Sequence, residues 1–313
     1  MAQIVEVQRK SDVLKHPSLP CLSQYHTINL IAGCPYECRY CYAQSFRSHP
    51  GRGKILFYAN TLDLLRRELP RKRKKPILVY FSTACEPFVP YKNVLDSLYE
   101  IMEMLLDHSV FLLISTKSFI PDNFLKLFSE HTDQVHVQVG LTTTNDCIRR
   151  LLEPKAASVE ERLKTLHLLV KHGVRTEVRM DPLTPELTDS EQSFVSLCKR
   201  IAQCGIHQAT ASYLFLRRTN YHRMEVEYNG WLFREMSRRL YRQQIEKYCG
   251  SGTIRIVAAE YRRKKYDRLR DISTEYGITL HLCRCKNPDV TDECCHPSPP
   301  TGHEQTVQYT LFR

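Results

Sequence analysis

Six times in succession the chain reads as a β-prone run followed by a helical stretch or loop. The β-prone runs are YHTINLIAG (25–33), PILVYFSTA (76–84), VFLLISTKS (110–118), VHVQVGLTT (135–143), RTEVRMDPL (175–183) and QATASYLFL (208–216). Between them lie the amphipathic segments TLDLLRREL, NVLDSLYEIMEMLLDH, PDNFLKLFSE, SVEERLKTLHLLVKHG and DSEQSFVSLCKRIAQCG. Asn93, Ser158 and Asp189 stand where N-caps fall, Gly173 and Gly205 where C-terminal caps fall. Parallel strands need crossover helices, so the alternation predicts an α/β fold with a parallel sheet. The runs are nearly continuously apolar, as expected of strands covered on both faces. An open doubly wound sheet and a curved partial barrel both satisfy this pattern, and in each the functional residues belong at strand C-terminal ends.

The pattern changes after residue 217. A long basic helical stretch is expected from Tyr221 to Tyr248, then a strand TIRIVA (253–258), a helix RRKKYDRLRDISTEYG and a strand ITLHLC, before an irregular tail. This suggests an N-terminal arm (1–24), a barrel (25–217) and a basic C-terminal extension with a cysteine-rich tail (218–313). No apolar run approaches the ~20 residues of a membrane span. The first residues, MAQIVEVQRKSDVLKHP, show neither an apolar core nor a small-residue cleavage site. A cytoplasmic protein without membrane partners is the expectation.

In a reducing compartment, clustered cysteines are ligands or reactive thiols more often than disulfides. The chain has 13 cysteines. Three of them, Cys34, Cys38 and Cys41 in GCPYECRYCYAQ, follow the first strand with spacing C-x3-C-x2-C. Three thiolates on one loop can hold three corners of a cubane cluster, leaving one iron open, although such clusters normally have four thiolates. A fourth thiolate from elsewhere, or zinc with a fourth ligand, stays open at this point. A second group, Cys283, Cys285, Cys294 and Cys295, has spacing C-x-C-x8-C-C with His296 adjacent. Alternate residues on an extended backbone point the same way, so Cys283 and Cys285 suit a second iron–sulfur cluster or zinc. The adjacent pair Cys294 and Cys295 weakens a four-ligand picture. Cys21, Cys147, Cys198, Cys204 and Cys249 read as core packing.

GCPYECRYCYAQ resembles the cluster loop of radical S-adenosylmethionine (SAM) enzymes, with Tyr40 as the aromatic before the third cysteine. STACEP, STKS and GLTTTND…LEPKAASVEERLKTLHLLVKHGVRTEVRMDPLTP at later strand ends resemble the spore photoproduct lyase-like subgroup. The resemblance spans roughly residues 24–290. It implies a partial (β/α)6 barrel and a [4Fe–4S] cluster on Cys34, Cys38 and Cys41 whose open iron chelates SAM. Reductive cleavage of SAM would then give a 5′-deoxyadenosyl radical that takes hydrogen from a substrate. An electron donor of flavodoxin or ferredoxin type is implied as a partner. Tyr40 would lie by the adenine and Lys117 would supply a cation for the SAM carboxylate. Ser82, Thr83 and Glu86 would supply acceptors for its ammonium, with Glu86 departing from the Asp-Pro usual in the subgroup. Thr142, Thr143, Arg179 and Asp181 occupy the fourth and fifth strand ends. Arg179 suits either SAM or an ion pair with Asp181. The resemblance implies a hydrogen-atom donor cysteine near the second strand end, and Cys85 lies in that neighbourhood, with an inert buried thiol as the alternative.

The net charge is +11, which favours polyanions. RRELPRKRKK (66–75) belongs to a loop at the strand N-terminal end, away from the site. The basic residues of 234–270, interleaved with Tyr241, Tyr248, Tyr261 and Tyr266, suit a phosphate backbone or an amphipathic helix packing its tyrosines inward. Three substrate or function classes follow: radical chemistry on a nucleic-acid lesion or base, radical modification of a small molecule or peptide with an auxiliary cluster, and a metal-stabilised nucleic-acid-binding protein.

Overall fold

The computed structural model describes residues 2–17, 22–81, 83–228, 230–245 and 252–291. The strands and helices run in the order β1 (Gln3–Val7), β2 (His26–Ile28), β3 (Ile31–Ala32), β4 (Lys54–Tyr58), α1 (Thr61–Arg71), β5 (Leu78–Phe81), α2 (Lys92–Asp107), β6 (Phe111–Thr116), α3 (Asp122–Ser129), β7 (Val135–Gly140), α4 (Asp146–Leu152), α5 (Val159–Lys171), β8 (Arg175–Leu183), α6 (Glu191–Gln203), β9 (Gln208–Tyr213), α7 (Arg218–Glu227), α8 (Gly230–Leu240), β10 (Gln243–Ile245), β11 (Ile254–Ile256), α9 (Ala259–Glu275) and β12 (Thr279–Leu282).

The six expected strands lie side by side, all parallel, as β2-β5-β6-β7-β8-β9. This is the expected α/β partial barrel. A seventh strand, β12, pairs in parallel with β9, so a strand of the C-terminal extension completes the sheet. The first expected strand is shorter than its apolar run. The chain leaves the sheet at Asn29, and β3 instead pairs antiparallel with β4, which pairs in parallel with β1 of the N-terminal arm. The long helix expected over 221–248 divides into α7 and α8 and then yields β10, which pairs antiparallel with β11.

One face of the main sheet is apolar. Val79, Phe81, Leu112, Ile114, Val137, Val139, Val178 and Met180 pack there beneath the helices. Leu98, Ile101, Met102 and Leu105 of α2 are wholly buried in the same core, each worth about 1.5–3 kcal/mol of apolar burial. The other face corrects the expectation of strands dry on both sides. Tyr80, Ser115, Gln138, Glu177, Arg179, Thr210 and Ser212 alternate with the apolar set and line a polar lumen. Gln138 accepts from Tyr80, Ser115 and Arg179 through Oε1 and donates to Glu177, which also accepts from Thr210.

Ser158 caps α5 in a full capping box with Glu161. The cap of α6 is Ser190, one residue past the expected Asp189, and α2 begins one residue before Asn93. Gly173 and Gly205 have φ of +71° and +79° just past α5 and α6, as helix ends require. The tyrosines of the basic segment face inward. Tyr241 and Tyr266 are buried and Tyr261 donates to the buried Asp189, which favours the packing alternative. Tyr248 lies outside the described residues. Of the isolated cysteines, Cys198 is buried and Cys204 half-buried, but Cys147 is exposed and so corrects its reading as core. Cys21 and Cys249 lie outside the described residues.

Arg262 anchors the extension. It is 1% exposed and bonds Val257 O at 2.8 Å, Asn287 Oδ1 at 2.9 Å and Asp289 at 2.6 Å. Breaking a buried charge pair leaves a charge without compensation. Asp289, the charge left behind, is partly exposed, so Arg262→Ala is expected to lose about 1–3 kcal/mol of stability, read as a lower urea midpoint.

Candidate cluster and cofactor site

Gly33 turns the chain out of β3 with φ +82°, and a Cβ there would meet the Lys54 carbonyl oxygen at 2.6 Å. The loop that follows lies across the C-terminal ends of the sheet. Tyr42 donates to Thr83 O past β5, Tyr36 bonds Ser118 past β6, and Arg39 N donates to Leu152 O of α4 at 2.9 Å. Arg223 of α7 donates to Glu37 O at 2.9 Å, where Glu37 adopts φ +50°. Arg39, Arg52 and Arg223 share Glu227 at 3.5, 2.8 and 3.2 Å, clamping the loop to α7.

Cys34, Cys38 and Cys41 are half-buried on this loop. Burial pushes all three thiols up, Cys38 to about 12, while Lys117 acts in the opposite sense on Cys38 and Cys41. Backbone N–H groups of Tyr36 and of Ala43 and Gln44 are directed at the Cys34 and Cys41 sulfurs, as suits sulfur that carries negative charge in a cluster. Among the described residues no three His, Cys, Asp or Glu side chains already stand at metal-centre separations. The triad is thus a soft-donor set on a clamped loop, which fits an iron–sulfur cluster by its chemistry, and not a preformed cage.

Tyr40 is buried, and its hydroxyl donates to Glu153 Oε1. Glu153 pairs at 2.5 Å with Arg162, both side chains being 1–2% exposed. Arg162 also donates to Gly140 O at 2.8 Å and Ala157 O at 3.0 Å. Burial alone would raise Glu153, but Arg162 and then Lys117 hold its carboxyl below the ordinary range. Both Glu153 and Arg162 stand in the LEPKAASVEER stretch, yet no pattern in it marks them as partners of a loop over a hundred residues earlier.

Lys117 leaves the end of β6 and lies over Gly140 at the end of β7. A Cβ on Gly140 would meet Lys117 Cγ at 2.9 Å and Nζ at 3.1 Å. The ammonium stands 5.9 Å from the Tyr40 ring centroid. Among the described residues it donates no hydrogen bond and forms no ion pair. The Glu86 carboxylate is already engaged, since Oε1 accepts from Thr116 at 2.5 Å and Oε2 from Lys117 N at 2.9 Å. Burial raises its pKa against these bonds. Thr83 bonds Thr27 at 2.9 Å and Asn29 at 3.1 Å. Asn29 also accepts from Ala84 N at 3.1 Å and Cys85 Sγ at 3.4 Å, a role its place in an apolar run concealed. Thr142 and Thr143 are buried, and Thr143 accepts from Asn145 N at 3.0 Å at the start of α4.

Of the two readings of Arg179, the ion pair is formed, at 2.9 Å to Asp181. Asp181 also accepts from Lys286, which arrives from beyond β12. Burial opposes ionisation of Asp181, but Lys286 and Arg179 overcome it and hold the carboxyl far below its ordinary value. Cys283 is buried and Cys285 half-buried. Arg284–Lys286 form a 3₁₀ turn, so strand alternation does not present the two thiols on one side. Ser82, Cys294, Cys295 and His296 lie outside the described residues.

A model of the radical SAM superfamily matches residues 28–198, more than half of the chain, including the cysteine loop and strands β3 to β8. The chain belongs to the radical SAM superfamily. It is an enzyme of that family. It is 26% identical over 213 residues to an uncharacterized protein, ORF301, of Acidianus two-tailed virus, covering 64% of this chain and 70% of that one. It is 22% identical over 275 residues to a radical SAM Nα-GlyT isomerase of Pseudomonas phage M6, covering 84% of this chain and 54% of the isomerase. Other curated relatives, from mycobacteria, are covered over 65% of their length. Spore photoproduct lyase complexed with dinucleoside spore photoproduct superposes with a TM-score of 0.68 at 15% identity, over 89% of this chain and 81% of the lyase, which shows the fold. Among the described residues no helix is long and apolar enough to cross a membrane.

Two outcomes test this geometry. Gly140→Ala should force Lys117 aside and weaken SAM binding roughly tenfold in anaerobic equilibrium dialysis, comparable to Lys117→Met, at the cost of about one charge-assisted hydrogen bond. In the lumen floor, burial and then the charges of Arg175 and Arg179 lower His136 from 6.5 to about 3. The unfolded chain therefore binds a proton below pH ~6.5 that the folded one refuses, and stability falls as pH drops through that window toward 3. His136→Leu should make the fall between pH 6.5 and 4 shallower in denaturant titrations.

Proposed function

We propose that this enzyme abstracts hydrogen from a nucleic-acid base or lesion held in the polar lumen, with Cys34, Cys38 and Cys41 as ligands of a [4Fe–4S] cluster. One observation carries the reading: the three-thiol loop lies across the strand ends of a polar lumen, with the Lys117 ammonium, which has no ion-pair partner among the described residues, beside it. When bound, the cluster and SAM supply reductive cleavage of SAM to an organic radical that can take hydrogen from carbon. Lys117 binds the SAM carboxylate and Tyr40, held by Glu153, offers its ring to the adenine. Ser82, Thr83 and Glu86 are the residues assigned as acceptors for the SAM ammonium, Glu86 by exchanging its bonds to Thr116 and Lys117 N, and Thr142 and Arg179 bound the same space. Cys85, pushed up to about 12 by burial, keeps its S–H at neutral pH, the form able to return a hydrogen atom.

The +11 net charge and the likeness to a lyase solved with a dinucleoside support a nucleic-acid substrate. The reductant is a protein of flavodoxin or ferredoxin type, and the setting is the cytoplasm. A second iron–sulfur cluster or zinc on Cys283, Cys285, Cys294 and Cys295 belongs to the same proposal.

Anaerobic reduction with SAM should release 5′-deoxyadenosine, faster with nucleic acid present, and Cys34→Ala should fall to background. Absence of 5′-deoxyadenosine from the iron-loaded protein would refute the reading. Iron and sulfide analysis should find about four irons lost in Cys34→Ala. A further loss in Cys283→Ala/Cys285→Ala is expected if the second site holds iron, and zinc in its place if it does not.

A further inference from the structure

Part of the lumen wall beside the cluster loop is built by residues beyond the segment shared with the superfamily, which ends at residue 198. Phe215 and Arg217 follow β9, and Lys286 follows β12. Phe215 packs on Ile254 and Ile256, and its ring lies 6.0 Å from that of Tyr42. Tyr42 meets Phe46 edge-on at 5.8 Å, and Phe46 is exposed. Two cations frame the Phe215 ring, Arg217 at 5.8 Å and Lys286 Nζ at 5.9 Å. Lys286 donates to Asp181 and, at 3.4 Å, to Ser212. An ammonium has three donors, so among the described residues one is left over. The wall thus sets aromatic side chains next to cations, and among the described residues Lys286 keeps one donor spare. That combination stacks bases and takes phosphates. An uncharged or purely aliphatic substrate would use neither feature.

We propose that this wall is the substrate subsite and takes a nucleotide unit, its base against Tyr42 and Phe215 and its phosphate on Lys286. This rests on the lumen being the reaction site, and it assigns the residues that select the substrate. A free nucleotide and a nucleotide within a strand offer the same chemistry.

The test is equilibrium binding to the cluster-loaded protein with saturating SAM, using a fluorescein-labelled single-stranded thymidine oligonucleotide and, separately, thymidine monophosphate, each over a salt series. Lys286→Gln should weaken oligonucleotide binding roughly tenfold and lower the salt slope by about one. Lys286→Arg should restore it. Phe215→Leu should weaken binding roughly tenfold with the slope unchanged. Lys74→Gln/Lys75→Gln, at the strand N-terminal end, should bind as the parent does. Photocrosslinking with a 4-thiothymidine oligonucleotide should label the peptide of Tyr42 or of Phe215. Preference for the strand identifies a polymer substrate, and equal binding a free nucleotide. Parent-like binding by both Lys286→Gln and Phe215→Leu, or crosslinks mapped elsewhere, overturns the assignment while nucleic-acid binding itself stands. No nucleotide binding at all also overturns it, and 5′-deoxyadenosine release from the same preparation then leaves the radical SAM reading intact. Thermal melting of each variant separates lost binding from lost folding.

Discussion

Arg162 and Glu153 are buried so completely that neither charge is tolerable without the other. The pair joins parts of the chain that are far apart in sequence. Through Tyr40 it reaches the cysteine loop, through Gly140 O the end of β7, and through Ala157 O the turn into α5. The loop could be held in other ways, but this one makes its position depend on an interaction that water cannot screen. Tyr40 therefore presents its ring in one orientation, with Lys117 laid over Gly140 beside it.

The sheet below the loop divides its two faces between stability and chemistry. The apolar face is buried under helices and holds the fold together. The lumen face is polar, and its side chains are tied to one another: Gln138 alone connects Tyr80, Ser115, Arg179 and Glu177. Buried polar groups are costly only when left unpaired. The hydrogen-bonded part of the lumen face is a rigid floor on which a substrate can be held in a fixed pose, while the ring nitrogens of His136 on the same face have no hydrogen-bond partner among the described residues.

The series of β and α elements was legible because strand and helix periods are local. β8 occupies the full expected stretch from Arg175 to Leu183, and Ser158 caps α5 as its residue type suggested. The polar lumen was less legible. Tyr80, Ser115 and Gln138 are single polar residues inside apolar runs, and only their register across strands makes them a surface. In the site, the three cysteines could be read from spacing, whereas Glu153, Arg162, Asn29 and Lys286 could not. Each acts on a partner that topology, and not proximity in sequence, brings near. Strand β12 was expected as a strand, but its place was not, since nothing in ITLHLC says that it will join β9.

The wall of the lumen is drawn from both ends of the coding order. Cys41 and Lys286 are separated by about 245 residues, which a ribosome adds in roughly 12–50 s at ~5–20 residues per second. For that interval the cysteine loop exists while the residue that bonds Asp181 from beyond β12 does not. Until the last strand docks, the nascent lumen therefore lacks the wall that Lys286 supplies.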